Sequence, residues 1–213
     1  NAFKRGTSYY LDNVCIPMLP TALSNGVCSL NENENKLVIG IKMHFNKQGH
    51  LLHREIFEGI ICSKKRFTYE EINQYLKDGI EEFYNANINL MEDLHAGLEL
   101  AEILRKNRME RGCIDFKTDE VVFIKDEDEN IVGFKNYERG PANKLIEEFM
   151  LVTNQTIAQL FTELNHPFVY RTHQSPFKER IERFLQICQE YGIDCSCIDC
   201  EDIGSCCGTG CLG

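Results

Sequence analysis

The densest set of potentially reactive side chains in this 213-residue chain is a run of cysteines near its C-terminus. Seven of the eleven cysteines lie from Cys188 to Cys211, and from Cys195 they follow the order Cys-x-Cys-x-x-Cys-x5-Cys-Cys-x-x-x-Cys. Closely spaced thiolates are soft ligands that hold zinc or iron–sulfur clusters. The spacing is irregular and lacks a second CxxC pair, so we expect residues 195–213 to be a disordered or non-native tail rather than a metal site.

The body of the chain offers few other groups whose spacing suits catalysis. The acidic run at 126–129 lacks the ligand spacing of an EF-hand, which favours a solvated turn over a calcium site. We find in the sequence no Gly-rich phosphate loop, no nucleophile paired with a base and no metal-ligand spacing. The remaining cysteines stand singly in apolar segments, which predicts buried free thiols and a reducing compartment, the cytoplasm. These cysteines are Cys15, Cys28, Cys62 and Cys113.

Charge and hydropathy narrow the class of protein. The 33 acidic and 23 basic residues leave a net charge of −10, which opposes non-specific attraction to phosphate, so a nucleic-acid function requires a local site. No apolar run approaches the roughly 20 residues that span a bilayer, and residues 1–7 do not have the apolar character of a signal-peptide h-region. Because Asn1 is not a Met and stands amid apparent structure, we expect a fragment of a longer protein.

The elements that must position any site can be predicted from periodicity. Two apolar runs, 36–45 and 51–63, flank a short polar turn and predict a β-hairpin. Thr68 and Glu71 form a capping box, so a helix should begin there and end near Leu76. A longer helix with an apolar face at Leu90, Leu94, Leu98 and Ala101 should end near Gly112, with a solvated charged outer face.

The second half of the chain should continue with a hairpin and two helices. Residues 120–125 and 131–137 are predicted strands joined by the acidic turn. Pro141 should open a helix whose buried stripe runs from Leu145 through Ile146 and Phe149 to Leu164. An amphipathic helix should cover 176–191. The fold class is therefore α+β, and the sequence leaves the oligomeric state open.

Seven ordered blocks of sequence resemble the catalytic domain of the RNB family, the ribonuclease II and ribonuclease R exoribonucleases. Because they occur in order over about 170 residues, coincidence is a poor explanation, although any single block would be weak. The blocks are Arg5 to Leu11, Ile16 to Pro20, Leu23 to Leu30, Arg66 to Tyr69, Arg111 to Phe116, Ile146 to Met150 and Tyr170 to His173.

The resemblance implies an enzyme that threads single-stranded RNA, but not DNA, through a channel and releases 5′-monophosphates from the 3′ end. It implies Mg²⁺ at the scissile phosphate, held by aspartates of a motif that precedes Asn1, and a catalytic arginine from a motif beyond the last block. We therefore expect the chain to retain RNA-binding residues, to lack the metal ligands and to be inactive by itself. It also implies a twisted β core wrapped by long helices.

The same resemblance assigns RNA contacts to particular residues. Tyr10 and Phe116 look like the two rings that clamp the bases nearest the 3′ end, and Tyr69 and Glu148 like the residues that contact the terminal ribose hydroxyls. The choice of Glu148 over Glu147 is uncertain by one position. Arg5, Arg66 and Arg171 stand in matching blocks and contact either phosphates or neighbouring acids. His173 is interpreted as structural.

Each of these residues also has a purely structural interpretation. Tyr10 could be a core or surface ring in an extended segment, and Phe116 could be a core ring. Tyr69 could be an exposed ring beside the capping box, and Glu148 could face water on an amphipathic helix. Accordingly, the alternative to the enzyme is a non-catalytic RNA-binding or scaffold remnant. We expect residues 1–176 to be a partial RNB catalytic domain, 177–194 an amphipathic helix and 195–213 the cysteine-rich tail.

Overall fold

The computed structural model describes residues 2–11, 14–113, 120–126, 130–137, 139–172, 174 and 176–193. The chain divides into two compact units: residues 1–46 with 50–72, and residues 47–49 with 73–213. Phe116, His173 and the cysteine-rich tail lie outside the described residues.

The first unit begins with a connector, residues 2–30, that carries little regular structure. It contains a short helix α1 (Ala2–Arg5), two two-residue strands β1 (Tyr9–Tyr10) and β2 (Cys15–Ile16), and a π-helical turn (Ala22–Val27). The strands pair antiparallel, Tyr9 with Ile16 and Tyr10 with Cys15. Pro17 directly follows β2 and cannot donate to a ladder, which is consistent with the shortness of these strands.

A long hairpin forms the rest of this unit. Strands β3 (Asn35–Phe45) and β4 (Leu51–Cys62) pair antiparallel, as predicted from their apolar runs. At the turn the Asn46 amide donates to the His50 carbonyl at 3.0 Å and the Asn46 side chain accepts from the His50 amide at 2.9 Å. Many apolar side chains on the strands stay exposed, including Leu37 and Ile39.

Helix α2 (Tyr69–Asp78) begins at the predicted capping box. The Thr68 amide donates to Glu71 Oε2 at 2.7 Å, and the Glu71 amide donates to Thr68 Oγ1 at 3.2 Å. These bonds satisfy amides that a helix start otherwise leaves without partners. The predicted capping box is thus confirmed.

The second unit is organised by two long helices that pack together. Short helix α3 (Glu81–Ala86) leads into α4 (Ile88–Glu110), and hairpin β5 (Glu120–Lys125) and β6 (Ile131–Tyr137) leads into α5 (Pro141–Glu163). Helices α4 and α5 lie close together at Gly97, where an added Cβ would make an ordinary van der Waals contact of 3.4 Å with Leu145. Helix α6 (Lys178–Glu190) follows an extended segment.

The α+β class is confirmed, and in the described part of the chain the β structure consists of three two-stranded antiparallel sheets. Two predictions of burial are wrong in part. Cys15 and Cys28 are exposed because they lie on the connector, although both are free thiols. Ile146 and Leu164 are also exposed, because α5 buries Ala142, Glu148 and Thr156 instead. None of the described helices combines the length and hydropathy of a membrane span.

Candidate nucleic-acid interface

Tyr10 presents its ring on the surface of the connector. Tyr10 is 80% exposed, which excludes the interpretation as a core ring and leaves a structural surface ring as the alternative to an RNA contact. Neighbouring bonds hold the backbone on both sides: the Leu11 amide donates to the Val14 carbonyl, and the Met18 amide donates to Ser8 Oγ at 2.9 Å. An exposed flat ring on a fixed backbone can stack on a nucleic-acid base.

Arg5 is held within the same connector. Its guanidinium, half-buried at the end of α1, donates to the Pro17 carbonyl and links the two ends of the small β1–β2 hairpin. Arg66 is exposed, and its backbone amide donates to Glu32 at 3.2 Å. Arg5 is thus engaged by the main chain, with further guanidinium donors available to an anion.

Tyr69 occupies the first position of α2, directly after the capping threonine. Its side chain is 41% exposed. The hydrogen bonds from Thr68 to Glu71 lower the pKa of the Glu71 carboxyl, with the bond from the Thr68 backbone as the largest cause. The hydrogen bonds of the capping box hold the backbone directly before the Tyr69 ring.

Glu148 lies in the interior of the second unit rather than at the surface. It is 3% exposed, so the alternative in which it faces water is wrong. Arg108 on α4 donates from Nε to both carboxylate oxygens at 3.2 Å and from Nη2 to Oε1 at 2.5 Å. Arg105 adds a longer ion pair at 3.7 Å.

The same arginine connects a second carboxylate and a thiol. Arg108 Nη2 lies 3.4 Å from Glu147 Oε1, and Nη1 donates to Cys113 Sγ at 2.9 Å. The hydrogen bonds to Glu148 raise the pKa of Arg108 above its ordinary value, against the opposing effect of burial. Arg108 therefore remains charged, and the cluster of Arg108, Glu147, Glu148 and Cys113 fixes α5 against α4.

Exposure separates the two candidate ribose contacts. The Glu147 side chain is 37% exposed, whereas Glu148 is almost fully enclosed. A carboxylate with spare lone pairs can accept from both hydroxyls of a ribose. Glu147 is open enough to accept such hydrogen bonds, whereas Glu148 is held more firmly, by three hydrogen bonds from Arg108.

Arg171 is exposed on the segment after α5. The chain turns back at Asn165, which has a φ of 51°, and Phe168 stacks on Phe161 of α5 with ring centroids 4.3 Å apart. Tyr170 contacts Phe168 edge-on and its hydroxyl lies 3.1 Å from Thr162 Oγ1. This aromatic packing positions the residue that precedes Arg171.

These predicted contacts are divided between the two units. Arg5, Tyr10 and Tyr69 belong to the first, and Glu148 and Arg171 belong to the second. Phe116, the predicted partner ring of Tyr10, lies outside the described residues, so the two-ring clamp stays a prediction. In the described ranges no three His, Cys, Asp or Glu side chains are grouped so that they could hold a metal ion.

Comparison with known proteins decides the family. A model of the RNB domain matches residues 1–203. The chain belongs to the RNB domain family. The resemblance inferred from the seven blocks is confirmed. Ribonuclease R of Thermotoga maritima is 41% identical over 196 residues, a match that covers 90% of this chain and 27% of that protein.

Solved structures of RNB proteins share the fold. Mycoplasma genitalium RNase R in complex with ribose methylated single-stranded RNA superposes with a TM-score of 0.80 at 26% identity, over 97% of this chain and 33% of that one. The same protein in complex with double-stranded RNA gives 0.81, again at 26% identity, over 97% of this chain and 37% of that one. The chain spans about a quarter to a third of the length of these relatives.

Arg108 is the residue of this site that the sequence analysis missed. The sequence predicts only that the charged outer face of α4 is solvated, and basic residues are common near a helix C-terminus. The spacing of three between Arg105 and Arg108 places both arginines on one side of α4, and the adjacent acids 147 and 148 offer the opposite charge. This complementary charge was the signal in the sequence that could have pointed to Arg108. Which arginine pairs with which acid is decided by the packing of α4 on α5.

Proposed function

We propose that this chain is part of a hydrolytic 3′ to 5′ exoribonuclease that degrades single-stranded RNA to 5′-monophosphates. Its membership of the RNB domain family over residues 1–203 carries the proposal. The fold it shares with an RNase R that was solved in complex with single-stranded RNA supports it. The free thiols of the described residues are in keeping with a cytoplasmic protein.

Within that enzyme the chain contributes to holding RNA. The Tyr10 ring stacks on a base near the 3′ end, with Phe116 as the second ring, and base stacking tolerates any sequence because every base has a π face. Arg5 and Arg171 donate to phosphates. These contacts are local, which suits a chain whose net charge of −10 disfavours non-specific binding.

Recognition of RNA over DNA is assigned to Tyr69 and Glu148. The Tyr69 hydroxyl and the Glu148 carboxylate are the proposed partners of the terminal ribose hydroxyls, which distinguish RNA from DNA. Arg108 orients the Glu148 carboxylate through the hydrogen bonds from Nε and Nη2. Glu147, which shares Arg108 and is more exposed, is the alternative carboxylate for this role.

Magnesium is proposed for the parent enzyme, not for the described part of this chain. Mg²⁺ takes carboxylate oxygens and waters, and the residues described here supply no group of three potential ligands. The described residues therefore do not fit a magnesium site, and no chemical step is assigned to them. The aspartates that hold the metal are expected in another part of the parent protein.

The decisive experiment measures binding of a fluorescent single-stranded RNA by anisotropy. Tyr10→Ala should weaken binding by about 1–3 kcal/mol, which is roughly 5- to 150-fold in Kd. Tyr9→Ala is the matched control, because adjacent side chains of a strand point to opposite faces. Equal effects of the two substitutions, or none from Tyr10→Ala, would refute the stacking assignment.

Incubation of the same RNA with the chain and Mg²⁺ separates binding from cleavage. We expect binding without release of mononucleotides. Release of mononucleotides would contradict the placement of the metal ligands outside this chain. The same assay on the parent protein should yield 5′-monophosphates; binding without degradation by the parent would instead favour a non-catalytic RNA-binding or scaffold protein.

A further inference from the structure

Two histidines face each other across the long hairpin, near its turn. His44 on β3 is the cross-strand partner of His53 on β4, and both side chains are exposed. Their ring centroids lie 5.8 Å apart and the rings are tilted by 50°. We propose that His44 and His53 form a two-ligand binding site for a divalent transition metal ion of the zinc class.

The separation of the rings matches what a shared metal ion requires. With Zn–N bonds of about 2.0–2.1 Å, the ion lies about 3.2 Å from each imidazole centre, and tetrahedral geometry then puts the two centres about 5.2 Å apart. The observed distance of 5.8 Å is close to that value, and small rotations of the two side chains would bring the rings to the metal-bound separation. Tilted rings suit chelation, since parallel stacked rings would point their nitrogens away from a common ion.

The local backbone supports this arrangement. The register of the hairpin shifts directly after the pair, between His44 and Phe45, so a β-bulge adjoins the site. Bulges re-aim side chains and increase the local twist of the strands. A metal ion held by one ligand from each strand would fix the register at the point where the ladder is irregular.

The chemistry of the ligands selects the metal. Imidazole nitrogen suits Zn²⁺, Cu²⁺ and Ni²⁺, whereas Mg²⁺ prefers oxygen ligands, so the two imidazoles should bind a transition metal ion in preference to Mg²⁺. The next cross-strand pair on the same face, Lys42 with Glu55, carries opposite charges and adds no net repulsion of a cation. Since no group of three potential ligands exists among the described residues, water completes the coordination.

The third histidine of the hairpin serves as an internal control. His50 lies in the turn, where its Nδ1 is 3.4 Å from Asn46 Nδ2 and its amide donates to Asn46 Oδ1. It is exposed like the proposed ligands but has its partner within the turn. His166, beyond α5, provides a second exposed histidine outside the hairpin.

The test is protection of histidines from diethylpyrocarbonate by Zn²⁺, read by peptide mass spectrometry. Accessible thiols of the full chain are first blocked with N-ethylmaleimide, so that the cysteine-rich tail does not compete for the ion. Trypsin cleavage after Lys42, Lys47 and Arg54 places His44 in one peptide and His50 with His53 in the next. At a Zn²⁺ concentration about ten times the Kd, labelling of His44 and His53 should slow roughly tenfold.

The pairing is tested by replacing each ligand in turn. His44→Gln should abolish the protection of His53, and His53→Gln that of His44, while His50→Gln leaves both protected. Mg²⁺ in place of Zn²⁺ should protect neither. Far-UV circular dichroism of each variant establishes that the hairpin is retained, and because both side chains are exposed we expect no loss of fold.

Several outcomes would overturn the site. Equal labelling with and without Zn²⁺ would do so, as would protection of His53 that survives His44→Gln. Protection of His50 or His166 to the same extent would indicate non-specific binding. Since the proposal does not depend on RNA, failure of the RNA-binding assays would leave these results unaffected.

Discussion

The buried cluster on α4 and α5 yields a prediction about the stability of the folded chain. Glu148→Gln keeps the shape of the side chain but removes its charge, which leaves the Arg108 guanidinium inside the second unit with weaker partners. Removing one member of a buried ion pair costs about 3–5 kcal/mol, because the remaining charge is no longer compensated. Glu147 and Cys113 still contact Arg108, so we expect about 3 kcal/mol, near the lower limit of that range.

Thermal and urea denaturation measure this effect. For a chain of this size, about 3 kcal/mol corresponds to a fall in Tm of roughly 6–12 °C. Glu147→Gln is the matched control: it removes the same charge from the neighbouring position, where the side chain is 37% exposed, and should cost less than about 1 kcal/mol. The two variants have identical composition and net charge, so their difference reports the burial of Glu148.

A double replacement checks the physical cause. Arg108→Met combined with Glu148→Met removes both buried charges at similar volume, and should restore most of the stability lost by Glu148→Gln. A coupling free energy from the full double-mutant cycle would then be large. Equal losses in Glu148→Gln and Glu147→Gln, or a double variant as unstable as the sum of its single variants, would refute the buried-pair argument.

The remaining predictions concern caps, turns and sugar selectivity. Thr68→Val should raise the pKa of Glu71 part of the way towards 4.5, because the hydrogen bond from the Thr68 side chain is lost while the bond from the Thr68 backbone is kept. NMR titration of the Glu71 carboxyl measures this pKa. Because the pKa of Glu71 is lowered in the folded protein, the ionised carboxyl stabilises the fold above pH 4.5, and this contribution is lost as the pH falls through the pKa of the folded state. Acid denaturation should therefore show a smaller loss of this kind in Thr68→Val than in the wild type. Gly49→Ala should lower the free energy of unfolding by about 1–3 kcal/mol, because φ is 77° and the new Cβ would lie 2.7 Å from Ile103 Cγ2. Gly112→Ala is the control: φ is 89° there but the space is open, so the loss in the same urea melts should be smaller. Tyr69→Phe should reduce the ratio of RNA to DNA affinity without altering stability, and an unchanged ratio by anisotropy would contradict the assignment of its hydroxyl to the ribose.

Local patterns were sufficient to predict the two long hairpins and the start of α2, but not α1, the β1–β2 pair or α3. Strands β3 and β4 were predicted from apolar runs on either side of a turn, and the start of α2 from a threonine and a glutamate three residues apart. The hairpin and the helix start both depend on hydrogen bonds between residues that are close in sequence or joined by a short turn. The family was also visible in the sequence, because its blocks occur in order along the chain, whatever their positions in space.

Burial and pairing were decided by tertiary structure. The sequence predicted a solvated outer face for the helix that carries Arg108 and allowed Glu148 to face water. The packing of α4 on α5 instead encloses both residues and joins positions 40 apart. The prediction of buried thiols at Cys15 and Cys28 failed for the same reason, since an apolar segment is buried only where another element covers it. The periodicity of a helix shows which side chains share a face, but only the partner element determines whether that face meets water, a hydrophobic side chain or an opposite charge.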